Sequence, residues 1–188
     1  VWHKSLPEWF AAEANTDNAK DIIVQHIEAV AGRYKGKLHS WDVLNEVVKP
    51  VHQRPDGLRN TPWMELLGTD HIALAFNTAK RVDPDTPLYY SEFGVEMNTP
   101  EHQARRQVLL RLLKQWRQDG LPVDGLTIHG HTNASQAADF SPSVFTNFLN
   151  QVGDLGYTVM ISEVDVSDRG IMGDYAARDT AVAAMYEA

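Results

Sequence analysis

The chain contains no cysteine, so no disulfide can brace it, and cysteine usage leaves its redox compartment open. Positive charge is scarce: 17 Lys and Arg stand against 25 Asp and Glu, a net charge of −8. Phosphate contacts need clustered Lys and Arg, which argues against nucleic acid as a partner and favours a neutral polymer. No apolar run is long enough to span a bilayer, so no membrane partner is expected. No signal-peptide pattern opens the chain. Val1-Trp2-His3 reads as the middle of a longer sequence, with room for a secretory signal upstream. Repeats, low-complexity tracts and linkers are also missing, so one domain over residues 1–188 with one sizeable core is expected. The remaining composition, 43% hydrophobic and 22% charged, is that of an ordinary globular domain.

What is present is alternation. Strand-like runs occur at Leu38–Glu46, Thr86–Phe93, Gly125–His131 and Tyr157–Val166, and Val1–Phe10 reads as the end of a further strand with its loop. Helical periodicity marks 17–31, 70–82, the run from Pro100 to Gly120, 142–153 and 174–187. Gly32 is the expected stop of the first of these, after a cap at Thr16 or Asp17. Thr99-Pro100-Glu101 is a helix start: a cap, a proline at the first position and an acid in the first turn. The stretch from Val47 to Gly68, with Pro50, Pro55 and Pro62, is expected to be one long irregular loop. Strand and helix in strict alternation predict βαβ units and a parallel sheet. The pattern leaves two architectures open: a doubly wound sheet suits the length, whereas a closed eight-stranded barrel takes about 250 residues.

Two strand ends carry chemistry. Leu38 to Glu46, L-H-S-W-D-V-L-N-E, alternates so that Ser40, Asp42, Leu44 and Glu46 would share a face. Tyr157 to Val166, Y-T-V-M-I-S-E-V-D-V, would place Val159, Ile161, Glu163 and Asp165 on one face. Carboxylates at the C-terminal ends of strands are where α/β folds place reactions. Glu46 and Glu163 are therefore a candidate pair, one as acid and the other as nucleophile or base. Asp42 and Asp165 would support neighbours or accept buried hydrogen bonds.

His129 and His131, at i and i+2, point into a site, or one or both are hydrogen-bonded core histidines. The same H-x-H spacing with Glu163 or Asp165 would suit Zn²⁺. Of Trp2, Trp9, Trp63, Tyr89 and Tyr90, most are expected to be anchors of core or loop, and a minority to meet a ligand. Trp41 falls on the face opposite Glu46 and should pack against a helix. Arg105, Arg106, Arg111, Lys114 and Arg117 read as the solvated face of their helix.

Taken in order, these motifs resemble glycoside hydrolase family 10, the endo-β-1,4-xylanases. W-H-K-S-L-P-E-W-F is similar to that family's third-strand segment, W-D-V-L-N-E to its acid/base motif and I-S-E-V-D-V to its nucleophile motif. R-P-D-G-L-R-N-T-P-W-M-E-L-L-G resembles a loop after the fourth strand. The resemblance implies a (β/α)8 TIM barrel of the retaining type, with the end of strand three to helix seven present here. It implies Glu46 as general acid/base, Glu163 as nucleophile, and Asn45 on the sugar 2-hydroxyl. His131 would bond Glu163 with Asp165 behind it, and His3 and Trp9 would help form the sugar site beside the scissile bond.

It implies no cofactor, secreted or periplasmic action, and xylan or xylo-oligosaccharide as partner. The remaining part of the barrel, or an inserted carbohydrate-binding module, is the further partner expected. Two substrate-binding positions depart from the family pattern. Ser91-Glu92-Phe93 stands where N-D-Y is usual, and His129 where glutamine is usual. Strands one, two and eight, with a substrate-binding lysine and late tryptophans, lie outside the resemblance. The competing readings are a non-catalytic xylan-binding relative and a metal-dependent hydrolase built on His129 and His131.

Overall fold

The computed structural model describes residues 1–187. Four parallel strands, β1 (Trp41–Asn45), β2 (Leu88–Glu92), β3 (Gly125–Asn133) and β4 (Thr158–Ser167), lie side by side in sequence order. Each connection is a helical crossover: α3 (Pro62–Leu67) and α4 (Asp70–Val82), then α5 (Pro100–Gln118), then α6 (Pro142–Asp154). Parallel crossovers are right-handed almost without exception. Strands added always in the same direction therefore put their helices on one face of the sheet. A doubly wound sheet needs a reversal of strand order, and there is none here. Strand order thus settles in favour of the barrel what the residue pattern left open. Helices α1 (Glu8–Glu13) and α2 (Ala19–Tyr34) precede the sheet, and α7 (Tyr175–Glu187) follows it.

The helix-facing side is the core. Leu44, Leu88, Tyr90, Leu126 and Ile128 from the strands meet Ile72 and Phe76 of α4, Leu109, Leu113 and Trp116 of α5, and Phe148 and Val152 of α6. All are buried, and each large side chain contributes about 1.5–3 kcal/mol by leaving water. The expected inward residues of α4, Ile72, Ala75, Phe76 and Ala79, are all buried. Trp41 packs partly buried against this core, as expected.

The expected elements are present, with shifted boundaries: β1 begins at Trp41 rather than Leu38 and ends at Asn45, ahead of Glu46. Helix α2 runs through Gly32 to Tyr34, and its N-cap Asn18 makes no side-chain cap bond. Residues 8–13 and 62–67 are helical where loops were expected. At the second of these, Thr61 accepts a hydrogen bond from the Met64 N–H and Pro62 opens the turn. That is the signature Thr99 and Pro100 give α5, where Thr99 accepts from His102 N–H. Val1 does behave as a strand tail: it exchanges backbone hydrogen bonds with Val43 and Asn45 beside β1.

Two further expectations fail for physical reasons. Arg105 and Arg106 are not solvated. Arg105 is 1% exposed and reaches Glu92 Oε1 at 3.3 Å and the Val48 carbonyl at 2.9 Å. Arg106 donates to the carbonyls of Val95 and Met97. Loop carbonyls and a buried carboxylate draw both guanidinium groups inward, while Arg111, Lys114 and Arg117 stay at the surface.

Strand faces also differ from simple alternation. The register between β1 and β2 breaks between Asp42 and Leu44, so Leu44 lies opposite Tyr90 on the core side and Asn45 opposite Ser91. A second break, between His129 and His131, sets Ser162 opposite His129 and Asp165 opposite His131. An added β-carbon on Gly130 would meet both Ile161 and Val164, so these two share the outer face and Glu163 is the extra residue between. Such bulges re-aim side chains beside active sites. The side of the sheet away from the core carries Asn45, Ser91 and His129.

Candidate active site

Glu46 follows β1 directly, and its backbone is left-handed, with φ +58°. Glu163 lies within β4, also left-handed, with φ +54°. Only Ser5 and Gln53 join them among the described non-glycine residues with positive φ. A residue held in this region costs about 1–3 kcal/mol and persists where its surroundings over-determine it. The surroundings do so at Glu46. Its N–H donates to the Ser91 carbonyl at 2.9 Å, and its carbonyl accepts from Arg59 Nε at 2.7 Å. The next residues are pinned too: Val47 N–H donates to the Tyr90 hydroxyl and Val48 N–H to Glu92 Oε2, each at 3.0 Å. Tyr90 in turn donates to Glu92, which Arg105 balances. The buried Glu92 of the departing S-E-F segment is therefore what anchors the turn carrying Glu46.

Glu46 and Glu163 line one cleft of about 430 Å³, with Trp2, Lys4, Asn45, Phe93, His129 and His131. The Glu46 carboxylate is buried and sits 3.3 Å from Arg59 Nη2 and 4.0 Å from Lys4 Nζ. On the opposite wall, Glu163 accepts from His131 Nε2 at 3.0 Å, and His131 Nδ1 meets Asp165 Oδ2 at 2.5 Å. The Asp165 hydrogen bond, assisted by Glu163, holds the His131 imidazole above its ordinary pKa. The Nδ1 contact also fixes the ring and turns Nε2 toward Glu163. His129 Nε2 lies 2.6 Å from Ser91 Oγ and 3.6 Å from Glu163 Oε1, and its ring stacks on Phe93 with centroids 6.4 Å apart. The departing residues Ser91, Phe93 and His129 thus form a single contact unit beside Glu163.

The structure brings Asn45, Glu46, His129, His131 and Glu163 to one cleft, with Ser91 behind His129 and Asp165 behind His131. His3 lies alongside, where burial first, and then the Arg59 charge, pushes its imidazole down to about 4. Its Nδ1, Trp2 Nε1 and the Asn45 side-chain oxygen are buried polar atoms without a partner among the described residues. Such groups normally find one in water or ligand.

Trp9 does not line this cleft. It lies in a neighbouring apolar cavity of about 570 Å³ that shares Trp2 and Lys4 with the cleft. Asp42 is not at the cleft either: it accepts from Thr127 Oγ1 at 2.6 Å, and no histidine bonds it. Trp63 is a buried anchor that donates to the Trp2 carbonyl. Arg59 and Lys4 are the site residues that pattern reasoning missed. Neither sits on a periodic element, and only the tertiary approach to Glu46 marks them.

Comparisons with known proteins bear on the family and the fold. A family model described as glycosyl hydrolase family 10 matches residues 1–188. Endo-1,4-beta-xylanase 2 of Claviceps purpurea is 30% identical over 167 residues, 89% of this chain and 48% of that protein. Endo-1,4-beta-xylanase A of Thermotoga maritima is 36% identical over 172 residues, 89% of this chain and 15% of that protein. Among solved structures, native xylanase 10B from Thermotoga maritima superposes with a TM-score of 0.82 at 28% identity, covering 99% of this chain and 55% of that one. Xylanase 10B from Thermotoga petrophila in complex with xylobiose gives 0.82 at 25% identity, covering 100% and 55%. The chain therefore spans about half the length, or less, of the relatives it matches.

Proposed function

The chain belongs to glycosyl hydrolase family 10, a family of (β/α)8 barrels, and from that premise we propose that it forms the catalytic half of a retaining endo-β-1,4-xylanase barrel. One observation carries the reading: two glutamates from different parallel strands, Glu46 just after β1 and Glu163 at the register break of β4, line one cleft, each in a left-handed backbone. Glycoside hydrolysis with retention uses a carboxyl pair about 5–5.5 Å apart.

In this mechanism Glu46 begins protonated and gives its proton to the leaving glycosidic oxygen. Glu163 begins ionised and attacks the anomeric carbon, forming a glycosyl–enzyme ester. Glu46, now a carboxylate, takes a proton from water, which cleaves the ester and restores the configuration. Asn45, adjoining Glu46 in the cleft, holds the sugar 2-hydroxyl, and Trp2 offers an apolar ring face to the chain. His131, held by Asp165, fixes the orientation of Glu163 through its Nε2 contact. The reaction calls on no cofactor. A polymeric substrate cannot enter a cell, which supports a secreted or periplasmic place of action. The further strands that close such a barrel are the partner we propose for this half.

The test is xylan hydrolysis by the full-length protein, followed by proton NMR of the first-formed product. Release of β-configured reducing ends, abolished by Glu163→Gln, is expected. A first-formed α-anomer would exclude the nucleophile role. Retained xylan binding with no release would favour the non-catalytic relative, a reading prompted by the Ser91 and His129 departures.

A further inference from the structure

His131 paired with a glutamate nucleophile is what the family pattern leads one to expect in this chain. A second imidazole is not, because glutamine is usual where His129 stands. His129, His131 and Glu163 each offer one ligand atom within 4.8 Å of the others. Glu163 meets the two rings through different oxygens, Oε2 at 3.0 Å from His131 Nε2 and Oε1 at 3.6 Å from His129 Nε2. Bonds of about 2.0–2.1 Å in a tetrahedron subtend ligand separations of about 3.3 Å, so the 3.0 Å contact is already near such an edge, and holding both rings on one oxygen takes a rotation of the Glu163 carboxylate.

We propose that His129, His131 and Glu163 form a binding site for a divalent first-row metal ion of the Zn²⁺ class, which caps the nucleophile and reversibly silences it.

Several features support the assignment. Asp165 Oδ2 on His131 Nδ1 is the carboxylate–histidine arrangement that orients metal-binding imidazoles, and it leaves Nε2 as the ligand atom. Two imidazoles and one carboxylate suit Zn²⁺ and its neighbours far better than Mg²⁺ or Ca²⁺, which favour all-oxygen sets. A ring stacked on Phe93 keeps the His129 plane aimed at Glu163. Ser91 Oγ, 2.6 Å from His129 Nε2, has to turn aside, which is a single-bond rotation. The fourth position opens on the cleft, where a sugar would otherwise approach. The metal here competes with catalysis and takes no part in it. Its inhibitory effect rests on the hydrolase reading above, whereas its binding does not.

The experiment uses Zn²⁺ alone on the full-length protein. Calorimetry at pH 7.5 should show a 1:1 site that weakens at least 10-fold in Asp165→Asn and at least 100-fold in His129→Gln, with circular dichroism confirming that each variant folds. Zinc X-ray absorption on the unaltered protein needs no variant, and two imidazole shells near 2.0–2.1 Å are expected. Xylan hydrolysis should fall along the same binding curve and return with EDTA. Unchanged affinity in His129→Gln, or an all-oxygen zinc shell, would overturn the proposal. Binding that persists in a protein without hydrolytic activity would uphold the site and fault the hydrolase reading instead.

Discussion

Glu163 is a position where backbone and side chain pull against each other. Its φ of +54° suits glycine, yet the side chain is the one that meets His131 and His129. The side chain is half exposed, so little apolar burial depends on it. Glu163→Gly should therefore raise stability by up to about 1 kcal/mol, read as a higher urea midpoint, while hydrolysis disappears. A lowered midpoint would mean that the backbone there is not strained. The sequence could name groups that meet in the cleft, from acids late in strand-like runs and from H-x-H, although Glu163 lies inside β4 rather than at its end. Backbone conformation was not, because nothing in I-S-E-V-D-V announces a left-handed glutamate. Arg59 was hidden for a related reason. Its partners, the Glu46 carbonyl and carboxylate, come into reach only once Glu46 has turned.

At the level of elements, the helices were read best where caps and apolar stripes agreed. Helix α4 lies where its periodicity put it, over Asp70–Val82. Helix α3 was missed although Thr61-Pro62 is the same start signal as Thr99-Pro100. Six residues give no periodicity to read, and three nearby prolines argued for loop. Thr61→Ala should remove about 1 kcal/mol, and Thr99→Ala a similar amount, measured by thermal or denaturant unfolding. Should Thr61→Ala be silent, the short helix would be held by Trp63 packing alone.

The loop from β2 into α5 has its own pH response. Burial, first of all, pushes the Glu96 carboxyl up to about 7. The Met97 N–H donates to His102 Nδ1 at 3.0 Å, so that nitrogen keeps its lone pair toward the loop, and burial pushes His102 down. Folded Glu96 keeps its proton up to about pH 7, whereas in the unfolded chain it is lost near the ordinary value of 4.5. That stabilisation is fully present below 4.5 and disappears as pH rises through 7. Glu96→Gln has no proton to lose. Its melting temperature should match the parent's near pH 4.5 and exceed it at pH 8. A difference that does not grow with pH would show that Glu96 is ionised throughout.

For the whole molecule, alternation of strand and helix foretold a parallel sheet, and the strand order then chose its closure. What alternation could not foretell is the pair of register breaks, because a period of two assumes an unbroken strand. Those breaks move Leu44 to the core face and set Ile161 and Val164 on an outer face, where they are 47% and 56% exposed. Among the described residues, β4 pairs only with β3 and so presents an open edge. Exposed edges and apolar faces recruit other chains. Expressed by itself, the 188-residue chain should sediment above its 21.1 kDa monomer mass, increasingly so with concentration. A monodisperse 21.1 kDa species would show that this half stands alone.

The 2.6 Å contact between Ser91 and His129 ties two strands that the chain visits almost forty positions apart. For gene shuffling with relatives, β2 and β3 are then one inheritable block. A crossover inside α5 would mate this serine, or this histidine, with a foreign partner. Either hybrid would receive two halves of different locks, however well each parental segment folds.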